Sequence, residues 1–114
     1  MTERKELVFV CLAERQRSPT GRDLFNMLFR RDKLEREYHA SSAGLVDETP
    51  LNQEKVDSAY KIIAVDGMVA NGLAKTFLNI REKMIQLAIR DIYDKDAPEL
   101  IGIFTKFYES GEWR

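Results

Sequence analysis

The chain has a single cysteine, Cys11, followed after five residues by Arg17 and then Ser18. These residue types at this spacing can build a phosphate-transfer centre. The intervening Leu12, Ala13, Glu14, Arg15 and Gln16 are enough to curl, so that successive backbone N–H groups point inward at an anion. A helix starting just beyond them adds the positive end of its dipole. The same field favours the thiolate of Cys11, which is the nucleophilic form. Arg17 offers a planar fork that grips two oxygens at once and keeps its grip as charge spreads in the transition state. Ser18 can donate to the thiolate and make it a better leaving group. The competing reading takes Cys11 as one more small buried residue at a strand end. Against it, a lone cysteine with Arg six residues on and then Ser or Thr is on the order of a 1-in-100 accident at ordinary residue frequencies.

Expulsion of a phenolate or alkoxide also needs a proton, hence a carboxylic acid held over the cysteine. Asp91, Asp94 and Asp96 cluster late in the chain, and a solvated acidic turn is the alternative reading for each. Asp91 is the choice, because it comes first after the last predicted strand. Tyr93 could stack on an aryl group or simply pack. Ser42 and Asp66 are expected near the same edge, Ser42 supporting the loop by hydrogen bonding. Arg15 and Arg22 could steer anions or form a solvated face. His39 reads as an ordinary strand residue, and the four methionines as core filler.

The elements that must position these groups alternate. Residues 7–11 form a continuous apolar, β-rich run, expected to be a strand buried on both faces. Ser18-Pro19 reads as an N-cap with proline in the first helical position, ahead of Leu24, Phe25, Leu28 and Phe29 at helical spacing to about Asp32. A second strand is expected over 38–43, closed by Gly44. Thr49-Pro50 repeats the cap-and-proline pattern before a short helix carrying Leu51, Val56 and Ala59. Strand 60–65, helix 67–77 and strand 84–89 follow. Ala97-Pro98 opens a last helix with an apolar stripe of Leu100, Ile101, Phe104, Phe107 and Tyr108 before Gly111. Strands alternating with helices predict a parallel sheet, with ligand-binding loops gathered at its carboxyl edge.

Composition limits the function classes. The 114 residues, 44% apolar and 32% charged, are expected to form one domain spanning 1–114. With 18 Lys+Arg against 19 Asp+Glu, the chain has no global basic field, so nucleic acid is not an expected partner. Residues 1–40 nevertheless carry nine basic against seven acidic side chains, and residues 41–114 nine against twelve. The basic excess thus lies on the side of the cysteine. The apolar runs are too short for a bilayer, and Arg4, Lys5 and Glu6 interrupt any secretory h-region. A soluble, cytoplasmic protein without membrane partners is expected. One cysteine and one histidine make neither a disulfide framework nor a zinc site, and no metal or cofactor is expected.

Residues 8–20, with their apolar strand, Cys-x5-Arg-Ser-Pro and helix, resemble the phosphate-binding loop of low-molecular-weight protein tyrosine phosphatases. The resemblance extends over essentially the whole chain. It is closest to a short prokaryotic subgroup of predicted tyrosine phosphatases, through Arg17-Ser18-Pro19-Thr20, Ser42-Ala43-Gly44, Glu48-Thr49-Pro50-Leu51, Asp91 with Tyr93, and Pro98-Glu99-Leu100. It implies a three-layer α/β/α fold with a four-stranded parallel sheet in the order 2-1-3-4. It also implies hydrolysis of phosphotyrosine, or of another aryl or alkyl phosphate monoester, through a phosphocysteine on Cys11. The substrate would be a phosphorylated protein or a small phosphomonoester, and Asp91 matches the family acid. The sequence departs from the pattern in being shorter, in carrying Ala13-Glu14 where the family has Gly-Asn, and in reading Asp91-Ile92-Tyr93 where the family has Asp-Pro-Tyr. Glu14 motivates a rival reading, a non-catalytic or weakly active anion-binding regulatory domain. Arsenate reduction on the same loop is the other alternative; with no second cysteine, it would need an external thiol.

Overall fold

A computed structural model describes residues 4–12, 16–46 and 51–114. The predicted alternation is present: β1 (Lys5–Cys11), α1 (Arg17–Arg31), β2 (Tyr38–Gly44), α2 (Gln53–Ser58), β3 (Lys61–Ala64), α3 (Gly67–Thr76), β4 (Met84–Gln86) and α4 (Pro98–Ser110). The strands form one parallel sheet in the order β2-β1-β3-β4. Right-handed crossovers place α1 and α4 on one face and α2 and α3 on the other, which makes three layers. β1 is central and buried from Leu7 to Cys11, so its sequence is apolar without alternation.

The α1/α4 face is held by aromatic side chains. Phe9 of β1 meets Phe25 of α1 and Phe104 of α4 edge-on, with ring centroids 4.9 and 5.6 Å apart. Trp113, fully buried, packs on Phe25, Phe29, Tyr38 and Tyr108. Its indole N–H donates to the Tyr108 carbonyl at 2.8 Å, which satisfies the one polar atom such a ring brings inside. α1 lies so close to the sheet that a Cβ on Gly21 would fall 2.8 Å from Phe9 Cδ1. That contact fixes the depth at which the start of α1 sits beside Cys11.

Four expectations about the elements change. Ser18 does not cap α1: the helix begins at Arg17 with Gln16 at the N-cap position and no side-chain cap. The Ser18 hydroxyl is turned to the Cys11 sulfur instead, and Pro19 fits the first turn because its missing N–H would have had no helical partner. Thr49 and Pro50 lie outside the described residues, and α2 is capped later, by Asn52, whose side chain accepts from the Lys55 N–H at 2.8 Å. β4 is three residues long rather than six. Asp66 turns away to cap α3, so the ladder goes out of register: the Leu87 and Ile89 N–H groups donate to Ala64 and Val65 in succession. Finally, Met27 and Met68 are exposed rather than core filler. Met27 follows the outward side of α1, and Met68 stands in the first turn of α3.

No helix among the described residues is long and apolar enough to cross a membrane.

Candidate active site

The carboxyl edge of the sheet brings together the end of β1, the start of α1, the β3–α3 turn and the segment after β4. Cys11 is the last residue of β1 and is buried. Its sulfur lies 2.9 Å from Ser18 Oγ, so a hydroxyl seven residues away is already in place to donate to a thiolate. Leu12 is anchored to the chain after β2, its carbonyl accepting from the Leu45 and Val46 N–H groups at 2.9 Å each. Ala13, Glu14 and Arg15 of the expected loop lie outside the described residues. Gln16 closes the loop onto α1, its carbonyl accepting from the Thr20 N–H at 3.2 Å.

Arg17 is 2% exposed, and a buried guanidinium must be paired. Its Nη1 donates to Asp66 Oδ2 and to the Ile89 carbonyl, both at 2.7 Å. Its Nε lies 3.7 Å from Asp91 Oδ1. The arginine thus links α1, the β3–α3 turn and the segment beyond β4. Asp66 serves two structures at once, because its other oxygen accepts from the Val69 N–H at 2.8 Å and caps α3. Burial pushes the Asp66 carboxyl up, but the bonds from Val69 N–H and Arg17 and the guanidinium charge outweigh it, so its pKa lies below the usual carboxylate value.

The sign of the resulting pH dependence follows from that depression. Ionised Asp66 stabilises the fold above the carboxylate's unfolded pKa, about 3.9, and the contribution is lost as pH falls through the lower folded value. Asp66→Asn should therefore lower the urea midpoint at neutral pH and flatten its acid-side fall. Parallel wild-type and mutant curves from pH 6 to the acid limit would contradict this assignment.

The remaining expected residues divide. Asp91 is exposed, with its carboxylate near Arg17, whereas the Asp96 carboxylate takes Lys95 Nζ at 2.7 Å. Asp94 is exposed, and its backbone carbonyl accepts from the Ala97 N–H at 3.1 Å. Tyr93 is half-buried and packs against the hydrophobic core. Ser42 lies beside Phe9 in the ladder, two residues short of Cys11's partner Gly44, and its hydroxyl accepts from Arg22 Nη1 at 2.8 Å. Arg22 also donates to Asp23 at 2.8 Å. His39 is a half-buried residue of β2, and burial, aided by Arg4, pushes its imidazole pKa down. Among the described residues, no three His, Cys, Asp or Glu side chains are grouped so as to hold a metal ion.

Two partners in this constellation escape the sequence. The Ile89 carbonyl is a backbone group whose role no residue type announces. Thr20 is buried, and its hydroxyl accepts from the Asp96 N–H at 2.8 Å. Thr20 belongs to the Arg17-Ser18-Pro19-Thr20 motif and stands one turn after Arg17 on the same helix face, but neither signal names the Asp96 amide as its partner.

No protein-family model matches the chain, and no curated protein matches it in sequence. Solved structures do match in fold. A low-molecular-weight protein tyrosine phosphatase from T. tengcongensis superposes with a TM-score of 0.77 at 18% identity, over 93% of this chain and 99% of that one. A low-molecular-weight phosphotyrosine phosphatase from Vibrio cholerae gives 0.75 at 15% identity, over 94% and 91%. The YwlE arginine phosphatase, as a mutant with a phosphorylated active-site serine, gives 0.71 at 19% identity, over 92% and 89%. The architecture is therefore that of the low-molecular-weight protein tyrosine phosphatases, as the motif resemblance implies. At these identities the likeness is one of fold.

Proposed function

We propose that the protein is a cysteine-dependent phosphatase acting on phosphotyrosine or another aryl or alkyl phosphate monoester, carried by a phosphorylated protein or a small molecule. The observation that carries this reading is the pair formed by Cys11 Sγ with Ser18 Oγ at 2.9 Å, beside a buried Arg17. A merely structural cysteine has no need of a buried hydroxyl partner or of a guanidinium fixed nearby by two 2.7 Å bonds.

In this mechanism the ester's phosphoryl oxygens are held by Arg17 and by the N–H groups of the loop from Leu12 to Gln16. The Cys11 thiolate attacks phosphorus, and an S–P bond forms as the bond to the leaving oxygen breaks. Asp91, as the acid, gives its proton to that oxygen. Water then attacks the phosphocysteine; Asp91, now a carboxylate, takes the proton from it. The S–P bond breaks, inorganic phosphate leaves, and the thiolate returns to the Ser18 hydroxyl. No step needs a metal or an organic cofactor. The nucleophile must stay reduced, which suits a cytoplasmic setting. The reading is tested by wild-type turnover of p-nitrophenyl phosphate in the presence of a chelator. Release of p-nitrophenol with a phosphoenzyme trapped on Cys11 supports it. Tight binding of phosphate without turnover would make the protein an anion-binding module instead.

A further inference from the structure

The buried polar side chains among the described residues, tyrosines and tryptophan aside, are Arg17, Ser18 and Thr20, exposed by 2%, 0% and 1%. All three stand in the first turn of α1. Burying a polar group is unfavourable unless it is bonded, so each marks a connection the fold maintains. Arg17 and Ser18 face the groups of the phosphate site. Thr20 faces a different segment, since its Oγ1 accepts from the Asp96 N–H at 2.8 Å.

That bond has a counterpart at the other end of the same segment. Ile89, itself buried, gives its carbonyl to Arg17 at 2.7 Å. Residues 90–95 are therefore pinned at both ends to the first turn of α1, at positions three apart on one helix face. Fully extended, they would reach far beyond that separation, so they must fold back, and the Ala97 N–H donating to the Asp94 carbonyl closes the turn. Asp96 adopts φ 63°, a left-handed conformation uncommon outside glycine, which a specific partner for its N–H helps to hold. Lys95 also bridges Asp23 and Asp96, at 3.3 and 2.7 Å. It is a surface bridge of the kind that contributes little, so the part-buried bond to the buried Thr20 hydroxyl is the stronger tie.

We infer that Thr20 is a positioning residue: its hydroxyl sets the loop carrying Asp91 relative to Cys11. This rests on the phosphatase reading, in which Asp91 moves the proton. Thr20 makes no contact with substrate in this role and acts only through the loop. A single turn of α1 then serves both halves of the chemistry, with Arg17 and Ser18 at the nucleophile and Thr20 at the acid.

The test is Thr20→Val, which keeps the branched shape and removes the acceptor, compared with Thr20→Ser, which restores it. Phenyl phosphate, whose leaving group needs the proton, should lose about 10–100-fold in kcat/KM, a part of what general acid catalysis supplies. p-Nitrophenyl phosphate should lose less than about 3-fold, because its leaving group departs with little protonation. Inhibition by inorganic phosphate should be unchanged, the Asp96 amide should exchange faster with solvent, and Thr20→Ser should recover most of the phenyl phosphate rate. Equal losses on both esters, or a parallel loss of phosphate affinity, would overturn the inference and make Thr20 a support of the phosphate loop or the fold. An unchanged Thr20→Val enzyme would overturn it as well, leaving the phosphatase reading intact. A wild type that hydrolyses neither ester would overturn that reading and the inference with it.

Discussion

Cys11→Ser should hydrolyse p-nitrophenyl phosphate more than about 10³-fold more slowly than wild type, the scale of loss when a nucleophile is removed from a concerted site, and should still bind inorganic phosphate. The two halves of this result come from separate parts of the structure. Turnover depends on sulfur, since a serine hydroxyl at neutral pH is not the anion that a thiolate is. In the proposed site, binding rests on Arg17 and the loop amides, and Arg17 is placed by Asp66 and the Ile89 carbonyl at 2.7 Å each, contacts that the substitution leaves alone. The measurement is steady-state hydrolysis together with a phosphate titration followed calorimetrically. Wild-type rates in Cys11→Ser would remove Cys11 as nucleophile. A wild type as inactive as the mutant, with both binding phosphate, would select the regulatory alternative.

Asp91→Asn should slow phenyl phosphate hydrolysis by roughly 10²–10⁴-fold, the usual worth of a positioned general acid and base. The loss should shrink for p-nitrophenyl phosphate, as leaving-group departure there needs less help. Three aspartates compete for the role, and their surroundings separate them. Asp91 Oδ1 lies 3.7 Å from Nε of Arg17, the arginine of the proposed phosphate site, while Asp96 turns its carboxylate to Lys95 at 2.7 Å. Asp96→Asn should therefore cost much less, and so should Asp94→Asn, whose carboxylate makes no ion pair with Arg17 among the described residues. A leaving-group series run on all three mutants decides the matter; if Asp94→Asn or Asp96→Asn gives the larger loss, the acid is not Asp91.

Much of the positioning frame is legible in the order of the residues. The unbroken apolar run ending at Cys11, the helical spacing of Leu24, Phe25, Leu28 and Phe29, and the opening of α4 at Pro98 are local patterns. Burial on one face imposes a period on neighbouring residues, and so they can be read in turn. The strand order β2-β1-β3-β4 has no such local signature. It follows from the motif resemblance, because nothing in strand spacing says which neighbour each strand takes. Local reading also errs where a side chain has a distant competitor. Ser18 carries the right chemistry for a helix cap, yet the Cys11 sulfur takes its hydroxyl. Strand β4 ends early because Asp66 leaves the sheet edge to cap α3.

The proposed chemistry is written locally, in a lone cysteine, five residues, an arginine and a serine, set between a buried strand and a helix. Those groups lie within eight residues of one another, so a single strand-to-helix turn is enough to assemble them. The groups that hold this chemistry in place come instead from distant parts of the chain. Arg17 meets Asp66 across 49 residues and the Ile89 carbonyl across 72, and Thr20 meets the Asp96 amide across 76. Such pairings carry no periodicity, and only the folded chain reveals them. They exist because a parallel sheet delivers the carboxyl ends of all its strands to one edge, and because polar groups buried there have to find partners among whatever the chain brings to them.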